Sequence, residues 1–148
     1  IPQLYYGTEI GMKGFSNPDG WVRLDFPGGW KEDSSNKFLK NGRNSEEEEI
    51  HNHVATLANF RKTSPALTTG KLLHFIPEDG VYVYFRYSED QTIMCIMNPE
   101  KTEKPLNIER FKEITGKFTA AKNIVTGEIT ALSEIKATAR TLLVLELQ

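Results

Sequence analysis

The chain has little that could staple, anchor or charge it strongly. It holds one cysteine in 148 residues, Cys95, so an internal disulfide is excluded. None is required, because at this length roughly two-thirds of the unfolded surface can be hidden in a core. Positive charge is not in excess: 18 Lys and Arg face 20 Asp and Glu, a formal net charge of −2. That argues against a nucleic-acid partner, since a phosphate backbone selects a basic face. No apolar run approaches the ~20 residues needed to cross a bilayer. No charged n-region with an apolar stretch opens the chain, and an isoleucine at position 1 reads as the start of a cut segment. With no targeting signal, the compartment is left open.

Metal and cofactor signals are also missing. Histidine occurs three times. His51 and His53, two apart on an expected helix, point to different sides, and His74 stands alone. Gly7, Gly11 and Gly14 do not have dinucleotide or P-loop spacing. The glutamates from Glu46 to Glu49 lack the alternating pattern and turn glycine of a calcium loop. No cofactor and no metal is therefore expected. Cys95 lies in the apolar run Thr92–Met97 and reads as a buried, inert thiol.

What is present falls into four zones. Ile1–Gly7 is almost continuously apolar, as in strands covered on both faces, and nothing upstream could pair with it. Residues 11–44 form a long irregular stretch holding Trp21, Trp30, Phe15, Phe26 and Phe38. Disordered linkers are poor in aromatics, so this stretch reads as a binding loop. Residues 45–63 read as a helix. Ser45 and Glu48 are spaced for a capping box, the glutamates sit at the positive end of the helix dipole, and Ile50, Val54, Leu57 and Phe60 form an apolar stripe. Pro65 ends it.

From Gly70 onward short strands alternate with turn signals. Lys71–Pro77 and Val81–Tyr87 flank Glu78-Asp79-Gly80, a strong hairpin signal. Thr92–Asn98, Lys117–Asn123, Glu128–Leu132 and Thr138–Leu147 follow. This pattern predicts a small antiparallel β-sandwich. Two units are expected: residues 1–69 (strand 1–7, loop 11–44, helix 45–63) and residues 70–148, the sandwich.

Particular residues carry a resemblance. Ile1-Pro2-Gln3-Leu4-Tyr5-Tyr6-Gly7-Thr8-Glu9-Ile10-Gly11 resembles the last barrel strand of the α-amylase family of glycoside hydrolases, with Thr8 where an Asp is common. Residues Leu57–Gly70, including Arg61-Lys62 and Pro65-Ala66-Leu67, resemble that family's final barrel helix and exit. Asn123-Ile124-Val125-Thr126-Gly127-Glu128 is similar to a step in its C-terminal domain. The stretch Gly11–Trp21 looks most like the neopullulanase and cyclomaltodextrinase branch. The resemblance implies a fold: a fragment of a (β/α)8 barrel followed by a Greek-key β-sandwich. It implies a retaining glycosidase acting on α-1,4-glucans such as starch, maltooligosaccharides or cyclodextrins.

Retention needs two carboxyl groups about 5–5.5 Å apart. In the family these come from earlier barrel strands, so the resemblance implies no catalytic residue here. Glu9, Asp19 and Asp25 match no catalytic motif. The family's sugar-binding loop motif has its counterpart in Ser16–Arg23. Asn17 stands in place of an Asp, and two extra residues precede Arg23. The candidate substrate-binding residues are therefore Asn17, Asp19, Trp21 and Arg23. A carboxylate and a guanidinium give directional hydrogen bonds, and an indole gives a sugar face an apolar platform.

The implied partners are an α-glucan oligosaccharide, met through the parent enzyme, and the missing barrel portion. Self-association through the unpaired strand and the helix stripe is also expected. Two alternatives remain open at this point. The sandwich could be a glucan-binding module using Tyr82, Tyr84 or Trp30, or it could be purely structural.

Overall fold

A computed structural model describes residues 2–148. The chain divides into two compact units, the first ending at Thr56 and the second running Leu57–Gln148. The division falls inside the long helix α1, Ser45–Thr63, rather than between residues 69 and 70.

The second unit is built on an antiparallel sheet. Its strands are β1 (Lys71–His74), β2 (Tyr82–Tyr87), β3 (Thr92–Asn98), β5 (Ala120–Asn123), β6 (Ile129–Ala131) and β8 (Thr141–Leu147). They lie in the order β1-β2-β3-β8-β5-β6. The last strand enters the middle, between β3 and β5, which gives the long crossing connection of a Greek key. A short ribbon, β4 (Lys104–Pro105) with β7 (Lys136–Ala137), lies apart from this sheet.

The β1–β2 hairpin forms where its turn residues require. Asp79 and Gly80 have φ of 49° and 78°, and Glu78 and Val81 exchange both backbone hydrogen bonds, at 3.1 and 2.8 Å. Two left-handed central residues match the twist of the flanking strands. β3 spans the residues expected of it. The other strands start later or end earlier, because the ladder ends where a partner ends.

Alternation along β2 and β3 separates two faces. On one face Val83, Phe85, Met94, Ile96, Leu145 and Leu147 are buried against Phe111, Leu132, Ile135 and Ala137. Phe75, Phe85 and Phe111 meet at ring centroid distances of 4.8 to 5.8 Å, and the Arg110 guanidinium lies 5.6 Å from the Phe111 ring centroid. Each large side chain hidden here contributes roughly 1.5–3 kcal/mol. On the other face Ile93, Cys95 and Val144 pack with Ala66, Leu57, Phe60 and Leu67. The stripe on α1 is thus used from Leu57 onward to cover the sheet.

Polar braces fix this second layer. Ser64 caps the short helix α2, Pro65–Thr68, with its hydroxyl accepting from the Leu67 amide at 3.3 Å. Pro65 takes the first helical position, where no amide proton is needed. The Ser64 hydroxyl donates to Gln91 Oε1 at 2.6 Å, and Gln91 Nε2 donates to Glu146 at 2.6 Å. Arg86 donates to the carbonyls of Ala66 and Gly70 at 3.2 and 2.8 Å. Buried Asn98 donates to the carbonyls of Thr102 and Ala137 at 3.0 and 2.7 Å, so its amide is satisfied inside the core.

The first unit corrects one expectation. No strand forms over residues 2–7; Ile1 lies outside the described residues, and the chain turns at Gly7 into a single 3₁₀ turn, Thr8–Ile10. A strand exists only with a partner to complete its hydrogen bonds, and no neighbouring segment offers one.

The helix cap moves by one residue. Asn44, not Ser45, is the cap: its Oδ1 accepts from the Glu47 amide at 2.9 Å, and Glu47 accepts in return from the Asn44 amide at 2.7 Å. The capping box is Asn44–Glu47 because Glu48 is engaged by Arg43 at 2.7 Å. Lys37 also reaches Glu47, at 2.6 Å. These partners hold the carboxyls of Glu47 and Glu48 below the usual carboxylate range, the hydrogen bonds from Lys37 and Arg43 being the largest causes. Among the described residues no helix is long and apolar enough to cross a membrane.

Candidate functional site

The irregular stretch 11–44 is shaped by a few polar anchors. Asp33 accepts from the amides of Gly28 at 2.6 Å and Trp30 at 3.0 Å, and these bonds depress its pKa. Gly28 has φ of 109°, a region closed to most side chains. Arg43 donates to the carbonyl of Lys37 at 2.8 Å. Phe26 and Phe38 pack at 4.6 Å between ring centroids. Trp30 stays 64% exposed, while its backbone amide donates to Asp33.

Three of the four predicted sugar contacts come together. Pro18, which follows Asn17 through a cis bond, leads into a 3₁₀ turn over Asp19–Val22. That turn places Asp19 and Arg23 four apart, and they form an ion pair. Trp21, on the same turn, is 55% exposed. It meets Phe15 edge-on, with centroids 6.2 Å apart and planes at 64°. Asn17 is exposed and precedes the turn.

Beside this turn lies an open, mainly apolar hollow of about 540 Å³, lined by Lys13, Gly14, Phe15, Trp21 and Leu24. Ligand pockets commonly span roughly 300–1,000 Å³. The arrangement offers an aromatic wall next to a carboxylate and a guanidinium, a combination suited to a ligand with apolar faces and hydroxyl edges. Phe15, Lys13 and Leu24 had not been singled out as site residues from sequence. The visible signal was an aromatic residue six positions before Trp21. Asp33 was missed as the organiser of the loop, although a carboxylate shortly after Gly28-Gly29 is a recognisable turn anchor.

The tyrosines of β2 have a different use. Tyr84 packs against the cluster of Ala66, Ile93, Cys95 and Val144, and burial together with the neighbouring Cys95 thiol pushes its phenol up. Burial likewise pushes the Cys95 thiol up, as an unreactive core cysteine requires. Tyr82 stacks on Tyr84 at 5.5 Å and meets His74 edge-on at 6.4 Å. Among the described residues no group of three or more His, Cys, Asp or Glu is placed to hold a metal ion.

The sandwich strands match a known sequence pattern. Residues 72–146 fit the profile of the cyclo-malto-dextrinase C-terminal domain. The chain belongs to that family. Its relatives share this and some of what precedes it. It is 32% identical over 124 residues to Alpha-amylase 3 of Dictyoglomus thermophilum, covering 72% of this chain and 24% of that protein. It is 31% identical over 131 residues to a cyclomaltodextrinase of Geobacillus thermopakistaniensis, covering 86% of this chain and 19% of the relative. The chain therefore spans about a quarter or less of the length of these relatives. The fold is shared with an α-amylase from Geobacillus thermoleovorans solved with acarbose: TM-score 0.62, 20% identity, 97% of this chain and 29% of that one. Residues 72–146 are accordingly the β-sandwich C-terminal domain of the α-amylase family.

Proposed function

We propose that this chain is the C-terminal part of an α-amylase-type retaining glycoside hydrolase acting on α-1,4-glucans. Residues 1–69 are the remnant of its (β/α)8 barrel and residues 70–148 its sandwich domain. The chain supplies scaffold and an outer sugar subsite, while the catalytic carboxylates belong to the rest of the barrel. The names of its relatives support the reaction class, and acarbose in a structure of the same fold supports an oligosaccharide ligand.

The observation that carries the subsite is the exposed indole of Trp21 on the same turn as the Asp19–Arg23 pair. A glucosyl ring would lay an apolar face on the indole and turn its hydroxyls to the pair. The oligosaccharide would thereby be positioned, with no bond made or broken by these side chains. Asn17, exposed just before the turn, would add an amide to the subsite.

The test is a maltoheptaose titration of the chain read by tryptophan fluorescence, with Trp30→Phe as background so that Trp21 alone reports. Saturable quenching is expected, weakened at least tenfold by Arg23→Ala. An unchanged signal up to tens of millimolar sugar would sink the subsite. Hydrolysis of maltoheptaose by the pure chain would overturn the placement of the catalysts elsewhere.

A further inference from the structure

A second sugar-sized depression lies on the sandwich itself, far along the sequence from the Trp21 turn. Two open clefts, of about 670 and 470 Å³, share Tyr87, Ser88 and Lys117 in their walls. They share this wall at the end of β2, and we read them together as one trough. Tyr87 lies between Lys71 on β1 and Thr92 on β3. Tyr87 is half-buried, and its hydroxyl has no hydrogen-bond partner among the described residues.

The trough has mixed chemistry. One arm adds Lys112 and Glu113 from the short helix α3, Lys112–Thr115. The other adds Thr69, Lys71 and Glu89. None of these charged groups makes an ion pair among the described residues. Lys117 is steadied by the Phe118 ring, 5.1 Å from its ammonium, which keeps it at the junction of the two arms. Charges of both signs, nearly balanced and unspent on one another, suit a neutral ligand that both donates and accepts hydrogen bonds along its length. A half-buried tyrosine beside them gives that ligand an apolar face to rest on. A compact anion would leave Glu89 and Glu113 opposed to it.

We infer that this trough is an accessory site for a neutral oligosaccharide, holding a glucan chain across Tyr87 with hydroxyls met by Lys117, Ser88 and the flanking lysine–glutamate pairs. The inference rests on the reading of the chain as part of a glucan-active enzyme, but it uses none of the residues of the Trp21 subsite. It also moves the sandwich's sugar contact away from Tyr84, whose ring is committed to packing.

The experiment uses the full chain carrying Trp21→Ala, which removes the first subsite, and follows backbone amide shifts during titration with maltoheptaose. Saturable shifts confined to Tyr87, Ser88, Lys117 and their neighbours are expected. Lys117→Ala and Glu113→Ala, both at exposed positions, should each weaken that binding several-fold, and Tyr87→Phe should retain it while Tyr87→Ala loses at least tenfold. Absence of shifts in this region would overturn the accessory site while leaving the Trp21 titration to stand or fall separately. Shifts produced by inorganic phosphate and not by maltoheptaose would overturn it too, making the trough a plain anion site. Equal binding by Tyr87→Ala and the parent chain would show that the ring carries no contact.

Discussion

The two units bury their apolar residues to very different extents. In the sandwich Phe85, Ile93, Met94 and Ile96 are wholly buried and Phe111 nearly so. In the first unit Leu4, Tyr5, Tyr6, Phe15, Trp21, Leu24, Trp30, Phe38 and Leu39 are all exposed. Hydrophobicity alone does not separate the two sets. The difference is that a sheet with helices and a ribbon over its faces closes a core from its own sequence. A long loop with short 3₁₀ turns, followed by the first turns of α1, closes no such core. The first unit is held instead by polar anchors: Asp33 on loop amides, Asn44 and Glu47 at the helix start, and Arg43 and Lys37 on the glutamates. Such contacts shape a segment, but each contributes only about 0.5–1.5 kcal/mol.

The sharpest way to break this comparison is truncation of matched aromatics. Phe85→Ala should cost about 3–5 kcal/mol in urea unfolding, by lost burial and a residual cavity. Phe15→Ala should change stability by less than about 0.5 kcal/mol. Similar losses at both positions would mean that the first unit has a core after all. The caps should separate less. Ser64→Ala removes a buried hydroxyl that also serves Gln91, and should cost about 2 kcal/mol in the same assay. Asn44→Ala should cost about 1 kcal/mol or less, seen mainly as fraying of the first turn of α1 in amide exchange.

The smallest effect is pH-dependent and confined to the first unit. Asp33, Glu47 and Glu48 have carboxyls held below their ordinary values. A depressed folded-state pKa contributes stability above the unfolded pKa, and that contribution is lost as pH falls through the folded one. Acidification from pH 5 to below 3 should therefore loosen the loop and the start of α1 while the sandwich persists. The amides of Gly28 and Trp30 should shift together with a midpoint below the ordinary aspartate value of 3.8, and Asp33→Asn should abolish that transition. A cooperative loss of sandwich signals over the same interval would contradict the division.

Much of the sandwich was legible in the chain. Asp79-Gly80 marked a turn, and the apolar run Ile93–Met97 marked a strand that is buried on both faces except at Met97, as near-continuous apolarity requires. Helix α1 was legible too, from its stripe and from Pro65. Its cap was not, because Asn44 and Ser45 are both good caps and glutamate follows three residues after each. Only the engagement of Glu48 by Arg43 selects the register. Asp19, Trp21 and Arg23 were named as candidates from the family resemblance, but neither the 3₁₀ turn that carries them nor Phe15 as the wall beside the indole could be read, since sequence gives no distance across a loop. Tyr84 and Tyr87 lie three apart on one strand, and alternation alone places them on opposite faces without saying which face is covered. The pleat sends them to opposite faces, and what covers each face decides which ring is left open.

Sequence by itself determined the local choices: where turns reverse the chain, where proline stops a helix, which strands are apolar enough to lie inside, and that no disulfide or strong charge takes part. Tertiary structure decided the rest. It left Ile1–Gly7 without a strand over the described residues 2–7, inserted β8 between β3 and β5, and covered one tyrosine while leaving another at a trough. The reason is physical. Local preference is carried by each residue and its near neighbours, but a hydrogen-bond ladder or a buried face exists only when a distant segment arrives to complete it.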